Sequence, residues 1–386
     1  MHTSFRRQVV IFTACILYFV TLCAASHAQT FILMHKFDEY DGSNPYGNLT
    51  RDAAGNLSGT TYVGGANETG VVFRLDTNGK ETVLYDFPPY TDGVWPHAGL
   101  DLVAGSFYGT TLSGGDLSCL IDGCGTVFKF DKTGEVVLHS FTGMPDGARP
   151  YAGLIHDKTG NHYGTTGSGG AYNNGTIFEI DRAGNETVLY SFIGGSDGSD
   201  PEAALIRDSL GNLYGTTFHG GSYEAGTVFK LDTAGNETVL HSFTGGADGS
   251  NPIAALVRDS LGNLYGTTEL GGAYNLGAVF KVDTAGNETV LYSFTGLSDG
   301  AYPGTGLIAD GKGNFYGTAS YDGDPRCSCG TVFKLSKTGI SVLHTFIGSD
   351  GADPEGLIRD TAGNLYGTTV SGGDNTGDGV VFKIAP

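Results

Sequence analysis

The sequence predicts an all-β, seven-bladed β-propeller with four antiparallel strands per blade. Three observations predict it. A segment of about 51 residues recurs seven times, each copy divides into four short strand-like runs, and the chain ends hold complementary parts of one copy.

The recurrence is carried by Tyr-Gly-Thr-Thr at 108–111, 163–166, 214–217, 265–268 and 366–369. Altered copies are Ser58-Gly59-Thr60-Thr61 and Tyr316-Gly317-Thr318-Ala319. The glycines at 59, 109, 164, 215, 266, 317 and 367 are 50, 55, 51, 51, 51 and 50 residues apart. The longest interval holds an insertion around Cys119 and Cys124.

Residues 252–294 show one copy. Strands are expected from Ile253 to Arg258, Asn263 to Thr268, Ala278 to Asp283 and Thr289 to Phe294. These runs are rich in Val, Leu, Tyr, Phe and Thr, and turn residues bound them. A four-stranded sheet with two apolar faces must stack on neighbours, and a ring of such sheets buries both faces. One Phe recurs in the third strand, at 73, 128, 178, 229, 280, 333 and 382. Another ends the fourth, at 37, 87, 141, 192, 243, 294 and 346. Burying one such ring contributes roughly 1.5–3 kcal/mol, so these are core positions.

The chain ends are out of phase with the repeat. Residues Phe31 to Phe37 match a fourth strand, and Val380 to Ile384 match a third. Pairing 31–37 beside 380–384 completes the last blade, closes the ring and removes two exposed sheet edges.

Composition agrees. Glycine supplies 64 of 386 residues, yet 22 Phe and 20 Tyr provide a core, which argues against disorder. The glycines do not fall at every third position, which excludes collagen. Many short strands joined by tight turns remain.

Residues 1–28 read as an export signal. Arg6 and Arg7 open it, Val9 to Ala25 form the apolar stretch, and Ser26-His27-Ala28 precede a cleavage before Gln29. The apolar run is shorter than the ~20 residues of a membrane span. No second apolar run follows, so residues 29–386 are expected to form one soluble seven-repeat domain, monomeric and outside the cytoplasm. That part carries 19 Lys and Arg against 41 Asp and Glu, a formal charge of −22. Such a surface is a poor partner for nucleic acid and for an anionic membrane. Its four cysteines lie as Cys119/Cys124 and Cys327/Cys329, an even number that suggests disulfides in an exported chain. The spacings do not match the usual zinc knuckles.

The pattern Gly-Asn-Leu-Tyr-Gly-Thr-Thr, Gly-Gly, Gly-Thr-Val-Phe-Lys-Leu-Asp, Thr-Val-Leu-His-Ser-Phe at 211–243 resembles a bacterial family known as the GloVer repeat. The resemblance covers 31–386. It implies export, often with a C-terminal anchor, and no assigned activity; no anchor segment precedes Pro386. Kelch propellers are a weaker resemblance. They share the period and a Gly-Gly after the second strand, but place a Trp in the fourth strand, whereas Trp95 falls in a loop.

Two loop types are uniform. Asp-Ser-Leu-Gly-Asn (208–212, 259–263) joins the first and second strands, and Asp-Thr-Ala-Gly-Asn (232–236, 283–287) the third and fourth. Aspartate caps such turns and Gly supplies the positive φ. Each offers one carboxylate where calcium takes six to eight oxygens, so no metal is expected there.

The other two loop types share the opposite face. The link between blades always reads Asp-Gly-x-x-Pro, beginning at Asp41, Asp92, Asp146, Asp197, Asp248, Asp299 and Asp350. Its variable pair includes Val94-Trp95, Ala148-Arg149 and Ala301-Tyr302. The loops between second and third strands add Tyr172, Tyr223 and Tyr274. A structural loop tolerates such variety and a binding face exploits it. Trp95, Arg149, Tyr172, Tyr223, Tyr274 and Tyr302 are therefore the candidate binding residues, for a glycan or an extracellular protein.

No H-E-x-x-H or P-loop is present, and neither a catalytic residue nor a cofactor is assigned. His139, His241 and His344 fall where Tyr190 and Tyr292 stand in fourth strands, with His35 read as one residue earlier. His97, His156, His162 and His219 carry no motif. The expected function is non-catalytic binding. The competing one is a polysaccharide lyase or hydrolase with acids near the central channel, since propeller sites gather residues from distant blades.

Overall fold

A computed structural model of the chain describes residues 29–374 and 376–386. The export signal expected over 1–28 lies outside them. The described residues form seven four-stranded antiparallel sheets, the blades of a propeller. Blade 1 holds Thr50–Arg51, Leu57–Thr61, Val71–Leu75 and Glu81–Asp86. Blades 2 to 6 span 101–140, 155–191, 206–242, 257–293 and 308–345. Blade 7 combines Ala352–Arg359, Leu365–Ser371 and Val380–Ala385 with the N-terminal strand Thr30–Lys36. Phe31 lies opposite Ile384 and Leu33 opposite Phe382, so the expected closure is formed.

Every constant position of the repeat has a packing or hydrogen-bonding task. The motif glycine is needed because a Cβ on Gly266 would stand 2.7 Å from the Phe280 ring and 2.9 Å from Leu256. The tyrosine before it donates to the aspartate of the first turn, as Tyr214 to Asp208 at 3.1 Å. The first threonine ties neighbouring blades. Thr60, Thr110, Thr165 and Thr267 donate to the Ala98, Ala152, Ala203 and Thr305 carbonyls at 2.8–3.1 Å. The second threonine stays within its blade, as Thr111 donates to the Ser113 carbonyl and accepts from the Thr126 amide.

The fourteen phenylalanines are the core, and they meet in pairs across blade boundaries. Each fourth-strand ring contacts the third-strand ring of the next blade edge-on, centroids 5.0–5.2 Å apart, from Phe37–Phe73 round to Phe346–Phe382. Such pairs add about 0.5–1.5 kcal/mol to the burial term.

The innermost strands are shorter than the sequence suggests. In blade 5 the ladder covers only Val257–Arg258 rather than starting at Ile253. In blades 2, 3, 4 and 6 a carbonyl of the corresponding segment accepts the threonine hydroxyl of the preceding blade.

Both turn families behave as caps. The Asp208 carboxylate accepts from the Leu210 and Asn212 amides, the Asn212 side chain and the Tyr214 hydroxyl, all within 3.1 Å. The Asp-Gly links are braced from the fourth strand. The imidazole nitrogen of His35, His139, His241 or His344, or the hydroxyl of Tyr85, Tyr190 or Tyr292, lies 2.7–3.5 Å from the carboxylate of the link that follows, Asp41, Asp146, Asp248 and Asp350 for the histidines and Asp92, Asp197 and Asp299 for the tyrosines. His35 thus takes the same position as the others, opposite Val381 as His139 is opposite Val127, which corrects the reading that set it one residue early.

Cys119 is bonded to Cys124 and Cys327 to Cys329. Cys124 is buried against blade 3 and Cys329 against blade 7. Among the described residues, no helix is long and apolar enough to cross a membrane.

Candidate functional site

The chain enters each blade through Asp-Gly-x-x-Pro and passes next to the ring axis. The residue after each proline faces a central cavity of about 430 Å³ on the variable-loop face. These seven residues are Tyr46, His97, Tyr151, Glu202, Ile253, Gly304 and Glu355, one from each blade. Small residues beneath them let the strands converge. A Cβ on Gly47, Gly99 or Gly356 would approach a neighbouring blade to 2.4 Å or less.

The residue before each proline has a left-handed backbone in all seven copies, with φ between 54° and 62°. Backbone hydrogen bonds hold it there. The Trp95 amide donates to the Thr69 carbonyl of the preceding blade, and its carbonyl accepts from the Leu112 amide. Four copies place Asn or Asp at this position (Asn44, Asp200, Asn251, Asp353), the residues that tolerate this conformation. Trp95, Arg149 and Tyr302 do not suit it, and each carries a strain of about 1–2 kcal/mol. Strain of this kind persists where a side chain is kept for another purpose.

The cavity has two unlike walls. Blades 1 to 3 supply aromatic rings. Tyr46 stacks on His97 at 4.6 Å, Tyr62 meets Tyr46 edge-on at 5.5 Å, and Trp95 lies over Tyr62 at 5.9 Å. Tyr151 closes the group against His97 at 5.6 Å. Tyr302 and Tyr321 add a further edge-on pair on blade 6.

The opposite wall is acidic. Glu202 and Glu269 come from blades 4 and 5, and Asp353 and Glu355 from blade 7. Burial pushes Glu202 up, Asp200 and Glu269 add repulsion, and its pKa reaches about 7. Burial and then Asp353 hold Glu355 well above the usual carboxylate range. Glu269 and Asp353 are raised by burial as well, the latter despite a hydrogen bond from Ser320. Burial pushes the His97 imidazole down to about 4, so it is neutral near pH 7. No Lys or Arg side chain lines the cavity.

Chemically, the aromatic wall offers flat apolar faces for stacking. The acidic wall offers acceptors when ionised and donors when protonated.

Of the residues singled out from sequence, Tyr302 lines the cavity, while Trp95 packs on its aromatic wall. Arg149 is exposed, does not line the cavity and has its guanidinium near the Tyr151 hydroxyl. Tyr172, Tyr223 and Tyr274 do not join them. They stand 56–63% exposed and do not line the cavity. Sequence reasoning missed Tyr46, Tyr62, His97, Tyr151, Glu202, Glu269 and Glu355. A signal existed, because the position after the constant proline varies from Gly to Glu to Tyr while its neighbours repeat.

A model of the Gloeobacter/Verrucomicrobia repeat matches residues 16–217 and 204–386. No curated protein matches the sequence as a relative. Among solved structures, PorZ, a surface component of the type-IX secretion system of Porphyromonas gingivalis, is 14% identical. That match covers 88% of this chain and 46% of PorZ, with a TM-score of 0.52. A gluconolactonase from Xanthomonas campestris is 12% identical over 92% of this chain and 89% of its own, with a TM-score of 0.48. A putative 6-phosphogluconolactonase from Bacteroides uniformis is 16% identical over 77% and 83%, with a TM-score of 0.49. At these identities the likeness to PorZ shows the fold alone.

Proposed function

The chain belongs to the Gloeobacter/Verrucomicrobia repeat family, and on that premise we propose that it is an exported, non-catalytic protein that binds a glycan in its central cavity. Residues 1–28 are its cleaved signal, and 29–386 act as one monomeric domain outside the cytoplasm. One observation carries this reading. The residues that differ between otherwise repeating blades converge on one cavity, where Tyr302 lines the wall and Trp95 packs on its aromatic rings, both held in strained backbone. Stacked rings beside hydrogen-bonding carboxylates suit the two faces of a pyranose, apolar C–H and polar hydroxyl. The disulfides and the acidic surface are compatible with an extracellular site of action.

The test is a glycan array followed by calorimetry. Tyr46→Ala, and Trp95→Ala with Tyr302→Ala, are expected to weaken binding at least about tenfold, the loss of one to two stacking contacts. Unchanged affinity in both would place the site elsewhere.

A second reading has a specific observation in its favour. Glu202, with a pKa of about 7, is suited to deliver a proton near neutrality. A polysaccharide lyase or hydrolase would use it as general acid. Turnover on a polysaccharide panel that is abolished by Glu202→Gln would establish that reading, and inactivity across the panel would remove it.

A further inference from the structure

The ligand's charge can be read from what the cavity lacks. Glu355 is partly buried on the cavity wall, and no hydrogen bond or cation offsets the desolvation of its carboxyl. Glu202 and Glu269 likewise have no donor or basic side chain acting on them. Buried carboxyls are ordinarily paired. Here the charged groups next to Glu202 are Asp200 and Glu269, with the Tyr151 hydroxyl close by. The charged neighbour of Glu355 is Asp353, with Tyr46 alongside. The imidazole that lines the cavity, His97, is neutral; His219 acts on Asp200 and Arg149 on Tyr151, neither on Glu202 or Glu355. The partner that would complete these carboxyls is missing from the chain itself.

A metal ion does not fill that role. Among the described residues no three acidic, imidazole or thiol side chains come together to hold one. The carboxyls instead form two groups at the two ends of the acidic wall, Glu202 with Glu269 on blades 4 and 5, and Glu355 with Asp353 on blade 7. That spacing matches a ligand with more than one positive centre, separated along its length. The aromatic wall lies between the two groups round the ring, so the same ligand presents flat faces for stacking.

We propose that the cavity binds an amino-sugar oligomer with free amines, its pyranose rings on Tyr46, His97 and Tyr151 and its ammonium groups on the Glu202 and Glu355 carboxylates. This rests on the glycan reading above and specifies the substrate class. Binding is coupled to protons. Glu202, with its pKa raised to about 7, is largely protonated near pH 6, and burial raises Glu355 as well; an ammonium group favours the ionised form of both, so protons are lost as the ligand binds.

The experiment is calorimetry on residues 29–386 near pH 6. The probes are a glucosamine hexamer, the N-acetylglucosamine hexamer and spermidine, each in two buffers of different ionisation enthalpy. The expected result is binding of the free-amine hexamer about tenfold or more tighter than the acetylated one, with protons released. Glu202→Gln and Glu355→Gln should each remove most of that preference. Both changes remove the ionisable carboxyl while keeping the size of the side chain, and retained circular dichroism confirms the fold. Equal or tighter binding of the acetylated hexamer overturns the amine assignment and leaves the glycan reading standing. Failure of both hexamers, with no hit on a neutral or acidic glycan array, overturns both. Spermidine binding as tightly as the glucosamine hexamer, unaffected by Tyr46→Ala, also overturns the amino-sugar assignment.

Discussion

Replacing Trp95 by Ala and by Asn separates what the indole does from what its backbone costs. Both changes remove the ring and its contact with Tyr62 at 5.9 Å. They differ in how well the new residue accepts φ 62°. Alanine keeps the clash between Cβ and the following carbonyl, about 1–2 kcal/mol, and asparagine relieves most of it. Asn44 and Asn251 already occupy the equivalent position at φ 56° and 57°. Trp95→Asn should therefore be about 1 kcal/mol more stable than Trp95→Ala. The denaturant midpoint is the better readout, since at ~2.1 cal/mol/K per residue a chain this long shifts its Tm only about 1 °C per kcal/mol. Asn251→Ala is the mirror control and should lose about 1 kcal/mol. Both Trp95 variants should lose ligand affinity equally, because neither has the ring. If the two Trp95 variants unfold at the same midpoint, the backbone there stores no strain, and the inference from strain to a binding role falls.

Three further outcomes are expected. Glu81, Glu135, Glu237 and Glu288 lie half-buried between blades with pKa raised to about 7 by burial and nearby carboxylates. Groups raised in the folded state stabilise it fully below the unfolded value near 4.5 and lose that contribution as pH rises to 7, so the Tm should fall between pH 5 and 8. Glu237→Gln should then stabilise the protein at pH 8 by about 1 kcal/mol after allowance for solvent screening, and an unchanged Tm there would contradict the burial argument. Phe243→Ala removes a fully buried ring that meets Phe280 at 5.0 Å and should cost about 3–5 kcal/mol by denaturant titration. Deleting residues 29–37 exposes the edge of Val380–Ala385 and should convert a monodisperse species into oligomers by light scattering; a monodisperse deletion variant would show that closure is dispensable.

Much of the fold was legible because its physics is periodic. The fourteen phenylalanines, the motif glycines and the Asp-Gly-x-x-Pro links each do one task seven times, so their spacing alone gives blade number, strand order and closure. The errors lie where local chemistry bends the period. The innermost strands are shorter than their apolar runs, and in four blades a carbonyl of that segment accepts a threonine hydroxyl of the preceding blade. Of the candidate binding residues, Trp95, Arg149 and Tyr302 were findable because large side chains replace Asn or Asp in a fixed turn. Tyr172, Tyr223 and Tyr274 share their face yet remain outside the cavity.

The sequence by itself determined the seven-bladed ring, the strand that closes it, the two cysteine pairs and the face whose loops vary. Only the tertiary structure decided that Tyr46 and Glu355, which are 309 positions apart in sequence, line one cavity, and that aromatic rings form one wall and unpaired carboxyls another. The physical reason is that repeat positions are set by contacts within and between adjacent blades, which recur along the chain. A site on the axis is set by closure, which brings all seven blades to one point and has no counterpart in local sequence.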